Sequence, residues 1–151
     1  MTAEATNEME VPPYLTEKPC CTRSIDLVAL PSAVTIARLF VSSTLNHWKA
    51  RFIETDAELV AAGLVKHSVS SSAPGSNWHH GDRLDYVVLR LVGYEQAIVL
   101  EVWDVFPDLP AQQDEEAVGL ALVGARAKRW GSNPTKWGRM RWAEFDVPSN
   151  W

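Results

Sequence analysis

The sequence predicts an α/β fold: a two-layer α/β sandwich, with helices on one face of a mixed, mainly antiparallel sheet, in the order β-α-α-β-β-α-β. Three observations predict it. Two stretches between residues 32 and 69 repeat their apolar residues every three or four positions, as amphipathic helices do. RLDYVVLRLVG and QAIVLEVWD are β-branched, apolar and separated by a short turn around Gly93–Glu95, which marks a hairpin. A third helical stretch then leads into an alternating segment, GRMRWAEFDV. Strands and helices in that order bury their apolar faces against one another in two layers.

Each element has its own signal. Residues 1–22 are acidic and proline-bearing, and read as a flexible tail. RSIDLVAL, 23–30, alternates as a first strand. Pro31 opens the first helix with Ser32 near its cap, and Val34, Ala37, Leu39–Val41, Thr44, Leu45 and Trp48 form its apolar stripe. The second helix spans 54–69, with Thr55 as cap and Glu58 completing a capping box. SSSAPGSNWHHGD, 70–82, has the composition of a loop. The two hairpin strands follow, then the acidic, proline-rich VFPDLPAQQDEE. AVGLALVGARAKRWG, 117–131, reads as the third helix, with bases in its last turns and a glycine at its exit. GRMRWAEFDV, 138–147, closes the sheet, and 148–151 form a short tail.

With 151 residues the chain is long enough for one domain with its own core, and 46% hydrophobic with 22% charged residues is a globular balance. A net charge of −5 disfavours nucleic acid and anionic membranes as partners. No apolar run approaches the ~20 residues of a membrane helix, and the N-terminus lacks the basic start and apolar core of a signal peptide. The expected location is the cytoplasm. Cys20 and Cys21 are adjacent, a poor geometry for an ordinary disulfide, and read as two reduced thiols. His79, His80 and Asp82, with His67 elsewhere, lack a diagnostic ligand spacing, so no metal site is expected.

One short stretch does not fit a plain core helix. AAGLVKHSVSSS carries Gly63 and His67 four residues apart, hence on one helix face. Gly63 costs about 1 kcal/mol of helix propensity relative to alanine.

ARLFVSSTL, TDAELVAAGLV, VLEVWDVFPDLP, GLALVGARAKRWG and RMRWAEF occur here in one order. In that order they resemble the short actinobacterial relatives of the anti-sigma-factor serine/threonine kinases. These belong to the ATPase superfamily of gyrase, Hsp90, histidine kinases and MutL, and the resemblance covers residues 23–147. It implies the Bergerat ATPase fold, the histidine kinase-like domain of that superfamily. It also implies what Gly63 and His67 replace. Gly63 stands where the family has the glutamate that activates the attacking group, and His67 where it has the asparagine that holds magnesium. Glycine offers no base, and magnesium prefers hard oxygen ligands to an imidazole nitrogen. Phosphoryl transfer needs both parts, so the resemblance implies a degenerate active site with no catalytic residue left.

By the same resemblance Asp104 corresponds to the aspartate that binds the adenine amino group. Of the family's glycine-rich phosphate loop only Gly119 remains, in EAVGL, behind Glu115 and Glu116. Weak adenine-nucleotide binding without magnesium is then expected, with no cofactor required. The implied function is regulation by protein binding, with a sigma factor, an anti-sigma antagonist or a transcription regulator as partner. An ATP-binding serine/threonine kinase and a non-hydrolysing ATP sensor stay open as alternatives, as does a homodimer.

Residues 126–142 hold Arg126, Lys128, Arg129, Lys136, Arg139 and Arg141 with no acid, interleaved with Trp130, Trp137 and Trp142. Those six positive charges in a chain of net −5 leave −11 for the rest. Bases among aromatics suit either an acidic protein partner or single-stranded nucleic acid. The protein partner is the stronger expectation, with Lys136, Trp137 and Arg139 as its interface and Trp130 and Trp142 in the core.

Overall fold

The computed structural model describes residues 17–72, 85–105, 121–136, 138–148 and 151. The described elements are strand β1 (Cys21–Val28), helix α1 (Ala33–His47), a 3-10 turn (Arg51–Ile53), helix α2 (Glu54–Ser72), strands β2 (Tyr86–Gly93) and β3 (Ala97–Asp104), helical residues 121–126 (α3), and strands β4 (Arg129–Pro134) and β5 (Arg139–Asp146). Among the described residues the sheet has five strands in the order β1-β2-β3-β5-β4, and every neighbouring pair is antiparallel.

The stripe expected on the first helix buries in part: Ala37, Val41, Thr44 and Leu45 are buried, Val34, Phe40 and Trp48 are half-buried, and Leu39 is 65% exposed. Along α1, Ala33, Ala37, Val41 and Leu45 recur every four residues and are buried. Along α2, Ala57, Val60, Ala61, Leu64 and Val65 continue the pattern, and Ser68 extends it by one more step. These side chains meet Leu27, Val87, Leu89, Leu91, Ile98, Leu100, Val102, Ala143 and Phe145 in one core, joined by Val123 of α3. The strand members are alternate residues of their strands, so both long helices lie on one face of the sheet, here the inner face. Burial of one such leucine or valine contributes about 1.5–3 kcal/mol.

α1 ends in a Schellman arrangement. Lys49 takes the left-handed conformation with φ 60°. Its N–H donates to Asn46 O at 3.2 Å, and the Ala50 N–H donates to Leu45 O at 2.8 Å. The tight exit sends the chain through the 3-10 turn straight into α2. That helix begins at Glu54, so Thr55 lies inside it and the expected capping box does not form. Glu54 instead accepts from Arg51 Nε at 2.9 Å and Ser42 Oγ at 3.3 Å. α2 also runs on through Ser70–Ser72, which the sequence assigned to a loop.

The largest departure is at the third helix. Helix is described only over 121–126, and from Arg129 the chain is strand, where helix was expected to run to 131. Gly131, expected as a helix exit, is a strand residue opposite Trp142. The reason is non-local: β5 has a free edge beside it, and RWGSNP fits that edge. Trp130 and Ser132 point to the inner face, Gly131 and Asn133 to the outer, and Asn133 Oδ1 accepts from Trp142 Nε1 at 3.0 Å. β1 also starts two residues before the expected boundary, at Cys21. At that end of the sheet an added Cβ on Gly93 would lie 2.6 Å from Cys21 Sγ and 2.9 Å from Trp151 Cη2. Only glycine admits this approach of three chain segments.

Candidate functional site

β3 ends on Asp104 and β5 begins on Arg139, and the two are direct cross-strand partners on the inner face. Arg139 Nε lies 3.3 Å from Asp104 Oδ2, with both side chains buried. From α2, Ser68 donates its hydroxyl to the same Oδ2 at 2.5 Å. Arg141, two residues along β5, turns to the same face and is 2% exposed. His67 stands beside these groups on α2, half-buried. Burial, then the charges of Arg141 and Arg139, hold its imidazole down from 6.5 to about 4, against a smaller opposing pull from Asp104. Burial, and then the like charge of Arg141, also lower the Arg139 guanidinium, which Asp104 opposes. An arginine so placed remains charged near neutral pH.

Backbone packing fixes the carboxylate. Gly138 precedes Arg139, and a Cβ there would sit 2.1 Å from Asp104 O and 2.6 Å from Val105 Cα. The clash is with backbone, which cannot swing aside. The turn is tied by Thr135 N–H to Gly138 O at 2.9 Å and by Gly138 N–H to Thr135 Oγ1 at 3.0 Å. Gly138→Ala is therefore expected to destabilise the fold by about 1–3 kcal/mol through overpacking, measured by chemical denaturation. A loss below 0.5 kcal/mol (roughly the noise of a neutral surface change) would contradict the close approach.

The cluster joins two residues singled out in the sequence, His67 and Asp104, and adds two whose position was not anticipated, Ser68 and Arg141. Arg139 belongs to it as well, which corrects its reading as an interface residue: 5% exposed and paired with Asp104, it cannot meet a partner at the surface. Gly63 lies one turn before His67, and among the described residues a methyl there would meet only Leu122 Cδ2, at 3.9 Å, an ordinary contact. Lys136 is exposed in the β4–β5 turn. Trp137, Gly119, Glu115, Glu116, His79, His80 and Asp82 fall outside the described residues.

The basic run 126–142 does not form one patch. Arg126 pairs with Asp56 at 2.9 Å, Lys128 with Asp146 at 2.9 Å, and Arg129 with Glu144 at 2.5 Å. Strand alternation sends Arg139 and Arg141 to the inner face and Arg129 to the outer one. Trp130 packs against the inner core, while Trp142 belongs to a second cluster on the outer face.

Chemically, the cluster holds one carboxylate among two guanidinium groups and a neutral imidazole. Two nearby cations disfavour a further cation such as Mg2+. Asp104 can accept hydrogen bonds, and two of its bonds go to Ser68 and Arg139. Among the described residues, no three His, Cys, Asp or Glu side chains gather as a metal would require. No helix among them is long and apolar enough to cross a membrane. No protein-family profile and no curated protein matches the chain.

Proposed function

We propose that the chain is a cytoplasmic regulatory protein of the histidine kinase/Hsp90-like ATPase fold that acts by binding another protein, with its phosphoryl chemistry lost. The observation that carries this reading is the engagement of Asp104. In a working site the carboxylate would face an adenine amino group. Here Ser68 and Arg139 both engage its Oδ2, at 2.5 and 3.3 Å, so a base would have to share the carboxylate with them. The two arginines add a second obstacle, since they repel the magnesium on which phosphoryl transfer depends, and the neutral His67 is a poor ligand for it. The two-layer antiparallel architecture agrees with the fold but would suit others.

The partner is a sigma factor, an anti-sigma antagonist or a transcription regulator, and the first helix is the surface offered to it. Ile36 and Leu39, one turn apart on α1, are 44% and 65% exposed, and Phe52 just beyond the helix is 50% exposed. Large apolar side chains at such exposure serve as anchors when a partner desolvates them.

Affinity capture from the cells that make the protein tests this. Ile36→Glu combined with Leu39→Glu is expected to lose a small regulatory partner that the parent chain retains, while Lys136→Glu changes its capture little. Loss on Lys136→Glu alone would return the interface to the β4–β5 turn. Turnover of ATP, or phosphorylation of a serine on the captured partner, would replace this reading with a kinase.

A further inference from the structure

β1 is an edge of the sheet, and its outward side carries backbone groups that β2 does not use. Among the described residues β2 is its one neighbour. Ala29 N–H donates to Asp85 O at 2.9 Å, in the register that pairs Val28 with Tyr86. Antiparallel bonding alternates from there, so Leu27, Ile25, Arg23 and Cys21 bond to β2. The N–H and C=O groups of Thr22, Ser24 and Asp26 then point away from β2, and all three residues are exposed. Sheet edges are normally blunted by shortness, proline or a bulge. β4, the other edge, is the shorter strand and ends on Pro134, which has no N–H to donate. β1 runs from Cys21 to Val28 without proline and in unbroken register. Such an edge is a template for another strand.

The flank of α1 above that edge is apolar. α1 lies over β1 and β2. Ser42 and Arg38 reach Glu54 and Glu58, which marks the α2 side of the helix. Ile36 and Phe40, one turn apart, stand on the opposite side. Arg23 of β1 lies 5.6 Å from the Phe40 ring centroid, and Ile36 is 44% exposed.

A second copy of this chain covers both surfaces by one operation. A two-fold axis normal to the sheet sets β1 antiparallel to β1 of the second copy, with the inner faces on the same side. Strands lie ~4.8 Å apart and α1 sits between β1 and β2, so the two α1 axes come to about 9.6 Å, twice that spacing. Helices pack at about 8–10 Å. A strand alone would bond the edge but bring no helix against Ile36. The position of the axis follows from the same residues. With the axis at Ser24, Ser24 meets Ser24 and Thr22 meets Asp26 of the second copy. Each acid then faces a hydroxyl, and each pair exchanges its backbone bonds. An axis at Arg23 would set two guanidinium groups opposite one another. An axis at Ile25 would call on Val28 O, which already accepts from Leu30 N–H at 2.7 Å.

We propose that two copies of this chain associate through β1, antiparallel about a two-fold axis at Ser24, into one continuous sheet with α1 packed on α1 of the second copy. Leu39 points away from the sheet and stays open to the regulatory partner. This inference concerns a second copy rather than that partner, and it is independent of the fate of the nucleotide site.

Sedimentation velocity of the full chain tests it. At about 50 μM, where interfaces of ~1,600 Å2 already hold, the parent is expected as a dimer. Ser24→Pro is expected to be a monomer with unchanged far-ultraviolet circular dichroism, because the lost N–H faces away from β2. A monomeric parent, or a dimer kept by the folded Ser24→Pro variant, would overturn the proposal. Cross-linking decides the matter even where that variant fails to fold. In a chain with Cys20→Ser and Cys21→Ser, oxidation of Ser24→Cys is expected to join two chains, since the Cα atoms of a bonded pair lie about 5.5 Å apart. The two Asp26 positions lie about 14 Å apart, so Asp26→Cys in the same background should stay unlinked. No linkage at Ser24→Cys, or equal linkage at both positions, would also overturn it.

Discussion

Replacing Asp104 with alanine is expected to cost about 3–5 kcal/mol of stability, the largest effect of any single change considered. Removing one partner of a buried ion pair leaves the other charge uncompensated. Here it leaves Arg139 and Arg141 together on the inner face, both nearly inaccessible to water. It also takes the acceptor from the Ser68 hydroxyl. Pairing Asp104→Ala with Arg139→Met should restore much of the loss, because the second change removes the charge the first exposes and roughly keeps the volume. Denaturant titration of the two single variants and the double variant measures the coupling. An Asp104→Ala loss below about 1 kcal/mol, the scale of an exposed pair, would show that the carboxylate is not engaged as described.

His67 should make the protein acid-sensitive in a defined window. Burial and the charges of Arg141 and Arg139 hold the folded imidazole at about 4, and the unfolded value lies near 6.5. Between those values the unfolded chain binds a proton that the folded chain refuses. Stability from this group is therefore complete above pH ~6.5, falls as pH drops toward about 4, and is constant below. The difference corresponds to about 2–3 kcal/mol once solvent access to the half-buried ring is allowed for. Carboxylates titrate in the same range, so the comparison with His67→Gln isolates the histidine. Between pH 7 and 4 the parent should lose about 2–3 kcal/mol more than His67→Gln. Parallel pH profiles would contradict the environment described for His67.

Much of this was legible from spacing. Val60, Leu64 and Val65 of α2 stand at helical spacing in the sequence and bury, Leu59 beside them is only half-buried, and one more step along the buried stripe gives Ser68 beside Asp104. The Gly93–Glu95 hairpin closes as expected, with the Tyr94 N–H donating to Ala97 O at 2.7 Å. Alternation in RMRWAEF also held the answer for Arg139. Ala143 and Phe145 face the core, so Arg139 and Arg141 must face it too. Their charge suggested surface instead, because the acid that admits them, Asp104, is 35 residues away and reaches Arg139 only when β3 and β5 pair. β4 was hidden for the same kind of reason. GARAKRWG has a helical composition, and the edge of β5 that draws Arg129–Pro134 into the sheet exists only in the folded chain.

The central claim is that the chain keeps an ATPase-like architecture without a working nucleotide site. Calorimetric titration of the full-length protein with adenosine, with ATP in chelator and with ATP plus magnesium tests it most directly. With Asp104 held by Ser68 and Arg139 and two arginines repelling the metal, the three titrations should give equally weak binding, with no gain from magnesium. Binding of magnesium–ATP about tenfold or more tighter than adenosine, a difference of about 1.4 kcal/mol, would contradict the account and restore the site as a functional one.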